Sequence, residues 1–212
     1  MKKRVGATVL PELEHFAGEL EPEADYDGLE LRDLDLTGQT AENARFLGSR
    51  IVGCVLDDVA LGRAQLADTE LTEVRAHTLS AVDSAWRDVT IDRCRLGAVT
   101  AYGSDLARVR FSGGKIDYLN LRDATLKDVV LEDCTIGELD LVGARLTRVS
   151  FERCRLAVLD VTRAALDRVD LRGAEFAGLR GLAHLRGATI TGGQLLDLAP
   201  AMADNLGLTV TG

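Results

Sequence analysis

Aromatic residues are scarce in this chain: five Phe, three Tyr and one Trp, 4% of 212 residues. A core of ordinary globular kind would lack its usual bulky fillers, so small and aliphatic side chains must do the packing. That suits a narrow solenoid better than a wide globule. No apolar run is long enough to span a membrane. The basic start, Met1-Lys2-Lys3-Arg4, leads into an apolar stretch interrupted by Pro11, Glu12 and Glu14, too short for a secretory signal. A cytoplasmic location is therefore expected. There are four cysteines and three histidines; in a reducing compartment the thiols are expected to stay free. Apolar residues still make up 46% and charged residues 28%, which excludes a disordered polar tract.

What the chain does have is a period of five. From Leu31 every fifth residue is apolar, without insertion or deletion, through Phe46, Leu66, Trp86, Leu106, Leu126, Leu146 and Leu166 to Phe176, thirty positions in succession. Neither a helix nor a plain strand produces that spacing. Two residues before each centre lies a second small or apolar series, including Val129, Cys134, Leu139, Ala144 and Val149. Each unit thus points two side chains inward and three outward, as a short extended segment does. Two residues after the centre, Gly38, Gly48, Gly53, Gly103 and Gly143 share a phase with Asp58, Asp68, Asp123, Asp128 and Asp133. Glycine tolerates positive φ and aspartate favours turns, so this position is the corner.

The units Ala144-Arg145-Leu146-Thr147-Arg148, Ala124-Thr125-Leu126-Lys127-Asp128 and Ser104-Asp105-Leu106-Ala107-Arg108 resemble the A(D/N)Lxx consensus of the pentapeptide-repeat family. The resemblance spans roughly residues 28–180 and implies an all-β solenoid: a right-handed quadrilateral parallel β-helix with four pentapeptides per coil. The residues support four sides independently, because the inward series repeats every twenty. One ladder is Ala44, Ala64, Ser84, Ser104, Ala124, Ala144, Ala164, small throughout. Another is Val89, Val109, Val129, Val149, Val169, and a third contains Cys54, Cys94, Cys134 and Cys154. Trp86, the one outsized centre, has the smallest coil-mates, Ala76 and Ala81, so volume per coil is roughly kept. The expected organisation is residues 1–27 as an N-terminal cap helix and acidic linker, 28–180 as about seven and a half coils, and 181–212 as a C-terminal cap.

Both coil ends need covering. Leu13, Phe16, Ala17 and Leu20 share one face of a helix expected over residues 9–20. Residues 194–206 read as a second helix, kinked or split at Pro200, with residues 187–191 as a last strand. Its apolar residues Leu195, Leu196, Leu198, Met202 and Leu206 form either an intramolecular cap or a homodimer contact.

The cysteines occupy one inward ladder, which makes them core residues rather than a disulfide or metal site. No catalytic constellation and no phosphate loop can be assembled, so no cofactor and no enzymatic activity are expected. The leading reading is a protein-interaction scaffold with an unidentified protein partner. The resemblance also implies an alternative, since some members of that family protect DNA gyrase from quinolones by mimicking DNA. The formal charge of −9 fits such a mimic, but its placement does not. Residues 1–30 carry eight acids against three bases, whereas residues 31–180 carry 24 acids and 21 bases. Interspersed signs cancel within a Debye length. Direct nucleic-acid binding is not expected, since no basic stripe with interleaved aromatics is evident.

Overall fold

The computed structural model describes residues 13–210. The chain winds into parallel coils in which a residue stands beside the one twenty positions later. Thr90–Thr100 pairs with Arg110–Asn120, placing Ile91 beside Phe111 and Leu96 beside Ile116. Arg110–Asn120 pairs in the same register with Val130–Asp140. Every central residue from Leu31 to Val161 is buried, and Leu166 and Phe176 are partly buried. The four-sided reading is therefore the fold observed.

The four sides differ in backbone. The first face, centred on Phe46, Leu66, Trp86, Leu106, Leu126, Leu146 and Leu166, is a seven-stranded sheet of three-residue strands from Arg45–Leu47 to Ala165–Asp167. The second face is centred on Leu31, Ile51, Leu71, Ile91, Phe111, Leu131, Phe151 and Leu171. The third is centred on Leu36, Leu56, Ala76, Leu96, Ile116, Ile136, Leu156 and Phe176. Together they form a fourteen-stranded sheet, because in the central coils one long strand serves both. The fourth face, centred on Leu61, Ala81, Ala101, Leu121, Leu141 and Val161, consists of turns. There Ala144 N–H returns to Leu141 C=O at 3.0 Å, while Leu141 N–H reaches the next coil at Asp160 C=O at 2.8 Å.

Corner chemistry follows from φ. The corner residues Asp33, Asp88, Asp128 and Asp133 have φ of 53°, 56°, 57° and 52°, the left-handed region that aspartate tolerates better than most residues. After Ala76, Leu96, Ile116 and Ile136 the corner instead stays in strand, with the strand formers Thr78 and Tyr118 at two of these four corners. Gly143, at φ 72°, has a further reason to be glycine. A Cβ there would lie 2.2 Å from the Asp123 carboxylate of the preceding coil.

Most polar atoms inside the rod find partners in one way: a hydroxyl or thiol in the inward ladder before a centre donates to the carbonyl 23 residues earlier, whereas Ser84 Oγ turns to Ala81 O at 2.6 Å and Cys134 Sγ to Glu132 O at 3.2 Å. Thr69 Oγ1 reaches Phe46 O at 2.9 Å, Ser104 Oγ reaches Ala81 O at 2.9 Å, and Cys154 Sγ reaches Leu131 O at 3.3 Å. Ser and Cys are tolerated among Ala and Val because a main-chain carbonyl lies within reach of each.

The ends differ from the expectation. The helix expected over residues 9–20 lies partly outside the described residues, and within them Glu14–Phe16 is a strand. It pairs with Leu29–Arg32 in a register of fifteen, not twenty, setting Phe16 beside Leu31. One side of the first coil is therefore missing. Residues 19–27 are not a linker: Leu20 and Tyr26 are buried, and Tyr26 N–H donates to Arg45 C=O at 2.7 Å. The Tyr26 ring stacks on Phe46 at 4.8 Å and meets Phe16 edge-on at 5.3 Å. Three of the nine aromatics thus close the N-terminal end of the core.

At the other end Ala188–Thr189 pairs with Val169–Asp170 in a register of nineteen. A single helix, α1 (Gly192–Asn205), follows. It is not split at Pro200 but runs continuously through it. Its N-terminus carries a capping box, Thr191 Oγ1 accepting from Gln194 N–H and Gln194 Oε1 accepting from Thr191 N–H. Gln194 Nε2 also donates to Leu171 O and Ala174 O at 2.7 and 2.8 Å, fastening α1 to the last coil.

Trp86 shares its coil with Ala76 and Ala81 and is 5% exposed. Its Nε1 donates to Ser84 Oγ at 2.8 Å, so the indole is satisfied inside the core. An enclosed apolar cavity of about 20 Å³ remains beside it, toward Ala101 and Leu106. Trp86→Ala is expected to cost about 3–5 kcal/mol in denaturant unfolding. Trp86→Leu should cost less, and Trp86→Leu with Ala81→Leu less again, since the pair restores volume. Additive losses in the double variant would show that the two side chains do not share a core layer.

Candidate interaction surface

Among the described residues no three His, Cys, Asp or Glu side chains are placed to hold a metal ion. All four cysteines are buried and unbonded. Burial pushes the Cys94 thiol up to about 11 and raises Cys54 as well, while contact with Cys154 and burial raise Cys134. Such thiols are poor nucleophiles. No helix among the described residues is long and apolar enough to cross a membrane. What the rod offers is its outer faces and its C-terminal end.

The corners carry ladders of opposite charge. At the corner after the first face, the Asp88 carboxylate takes both the Arg108 Nε and Nη2 donors at 2.6 and 2.5 Å, and Asp128 grips Arg148 in the same way. At the corner after the second face, Asp133 and Arg153 form a bidentate pair at 2.7 Å, and Arg93 Nε meets Glu73 at 3.2 Å. Twenty-residue spacing brings each pair onto neighbouring coils, where the planar guanidinium matches the carboxylate fork. These guanidinium hydrogen bonds hold Asp88, Asp128 and Asp133 below the usual carboxylate range.

The first face confirms the mixed signs read from the sequence: Arg45, Arg87, Arg108, Lys127, Arg145, Arg148 and Arg168 stand among Asp68, Asp88, Asp105, Asp128 and Asp167. On the fourth-face side Asp140 is 4% exposed. It accepts from Tyr118 Oη at 3.1 Å and from its own turn at Val142 N–H, and pairs with Arg122 at 2.9 Å. The third face departs from this mixing. Arg75, Arg95 and Lys115 stand side by side on consecutive coils, one residue before the centres Ala76, Leu96 and Ile116. The sequence reading missed this column because its members are twenty residues apart; the signal is found only when outward positions are also read by coil.

The structure divides the five candidate residues of the C-terminal segment. Leu198 is buried, together with Ala203, and Met202 is half-buried. Leu195, Leu196 and Leu206 are exposed, at 49%, 75% and 73%, and Leu208 and Val210 continue the same apolar end.

The architecture is a four-sided parallel β-solenoid. Residues 89–161 and 104–180 match the family model described as "Pentapeptide repeat region". Residues 89–180, which carry these in-frame units on the twenty-residue coil, are therefore a pentapeptide-repeat region. Among solved structures it is similar to HetL, a pentapeptide-repeat protein involved in heterocyst differentiation regulation in the cyanobacterium Nostoc sp. strain PCC 7120. The two are 18% identical over 83% of this chain and 93% of that one, with a TM-score of 0.37. It is also similar to QnrB1, a plasmid-mediated fluoroquinolone resistance protein. Identity to a trypsin-treated variant of QnrB1 is 15% over 95% of this chain and 100% of that chain, TM-score 0.35. To the full-length form it is 18% over 87% and 100%, TM-score 0.35. No curated protein matches the sequence.

The corner ladders predict a pH dependence with a definite sign. Asp88, Asp128 and Asp133 have native pKa values below their unfolded ones, so their contribution is present above the ordinary carboxylate range and is lost as pH falls through it. The thermal midpoint should drop on acidification below about pH 4. A double-mutant cycle of Asp128→Asn and Arg148→Gln should give a small favourable coupling that shrinks with added salt, because both groups are partly solvated.

Proposed function

We propose that this protein is a non-enzymatic, cytoplasmic interaction scaffold: a stiff rod that presents its faces to a protein partner. The observation that carries this reading is the disposition of its chemistry. Polar groups inside the rod are spent largely on the backbone, the four thiols are buried and unbonded, and the distinctive side chains stand in outward columns at fixed axial spacing. Photo-crosslinkers placed on each of the four faces, in the source cells, test it. A partner recovered repeatedly from one face is the expected result. Adducts spread without preference among faces would reject a specific scaffold.

The second reading, a DNA mimic that binds DNA gyrase and modulates quinolone sensitivity, has in its favour the net charge of −9 and the rod form. Against it stand the charge ladders of the corners, where guanidinium groups neutralise the carboxylates that a duplex mimic would need to display. A gyrase supercoiling assay with and without quinolone is expected to show no protection at micromolar protein. Protection there would establish the mimic.

The C-terminal end is proposed as a homodimer contact through Leu195, Leu196 and Leu206, with Leu198 and Met202 covering the coil. An exposed apolar patch is a liability unless something covers it. Sedimentation should show a dimer that Leu196→Glu converts to monomer with unchanged far-ultraviolet circular dichroism. A monomeric wild-type chain would reject this role.

A further inference from the structure

Deepening the scaffold reading, on which it rests, we infer that the third face carries a docking site for an extended acidic peptide segment, held by Arg75, Arg95 and Lys115. Three cations on adjacent strands, at the ~4.8 Å strand spacing, repel one another and destabilise the bare rod. At the corners the coil register sets cations against carboxylates. In this column the flanking residues are Val55 and Thr135, reached from Arg75 and Lys115 one coil further on. Among the described residues Arg75 and Arg95 make no ion pair, and all three side chains are exposed. A local cost without a local compensation points to a ligand.

The surrounding carboxylates are engaged elsewhere. Asp57 accepts from the His77 backbone N–H, and Asp58 accepts from Thr78 Oγ1. Glu73 and Asp92 hold Arg93, at 3.2 and 2.5 Å. Only Asp117, 2.7 Å from Lys115, neutralises a member of the column. Arg155, two coils beyond Lys115, pairs with Glu175 at 3.4 Å and stands outside the site.

Beside the cations runs an open groove that reaches Ala76 and Leu96. Its floor includes Gly97, which cannot be anything larger: a Cβ would lie 2.2 Å from His77 C=O. One coil past Asp117, Gly137 is pinched likewise, 2.3 Å from Asp117 C=O. A backbone laid along the rod axis finds no side chain at these two positions. Alternate residues of an extended peptide lie about 7 Å apart. Mutually repelled Arg and Lys tips, on long flexible stems, can splay to that spacing and take carboxylates in forked contacts. A nucleic acid fits less well. Asp117 borders the groove, and its carboxylate would repel a continuous phosphate backbone while leaving room for a few isolated carboxylates.

The probe is a fluorescein-labelled peptide of alternating Glu and Thr, titrated with the full chain at low ionic strength and read by anisotropy. Saturable binding is expected, absent for the Gln/Thr peptide and weakened at least about tenfold by Arg75→Gln with Arg95→Gln. Lys127→Gln with Arg145→Gln, on the first face, should leave it unchanged. The inference is overturned if the wild-type chain fails to bind, if the third-face variant binds as tightly, or if the first-face variant loses as much. It is also overturned if single-stranded oligothymidylate binds more tightly than the peptide and shows the same third-face dependence. Circular dichroism confirms that the variants stay folded. Failure here leaves the scaffold reading to the crosslinking experiment, since three other faces remain.

Discussion

Stacked coils hold one another through main-chain hydrogen bonds, and those bonds fix a return of twenty residues per turn. Leu56 N–H reaches Arg75 C=O at 2.8 Å, and Arg75 N–H reaches back to Cys54 C=O at 3.0 Å. Because the backbone must meet itself at this interval, every side-chain position becomes a column. Inward columns have to be filled coil by coil, which is why small Ala81 and Ala76 accompany Trp86. Outward columns bring residues twenty apart into contact, so charge chosen at one coil constrains the next. Thr69, Ser104 and Cys154 follow the same interval with their reach of 23 residues.

This dependence explains what the sequence reveals. A strict period of five with a superposed period of twenty leaves one architecture, so the centres, the small ladder and the buried cysteines were legible residue by residue. The ends were not. Phe16 satisfies a helical spacing with Leu13, Ala17 and Leu20, yet its strand segment pairs at fifteen residues because the aromatic trio needs Phe16 beside Tyr26. The side missing from the first coil leaves no mark in the sequence period, because the in-frame centres begin only at Leu31. Helix α1 was legible from its apolar positions, but the direction each leucine faces depends on how Gln194 fastens it to Leu171 and Ala174.

The surface was legible in its average and not in its arrangement. Nearly balanced charge over residues 31–180 argues against a uniform anionic field, and the paired corners show why that balance holds. The grouping of Arg75, Arg95 and Lys115 emerges only when outward residues are ordered by coil rather than by chain position. Their separation along the chain makes them look like isolated surface charges, whereas the fold makes them immediate neighbours.

The unequal coils at the two ends affect what rods can do to one another. A solenoid that repeats at twenty residues from end to end would offer each terminus as a template, and molecules could polymerise head to tail into a filament with a continuous core. Here the first described strand pairs at fifteen residues and the last at nineteen, so neither terminus presents the geometry that the other extends. Tyr26 and Phe16 pack over the core at one described end, and Gln194 fastens the helix to the last coil at the other. The same irregularities that make the ends hard to read from sequence thus leave the two described ends without a matching register.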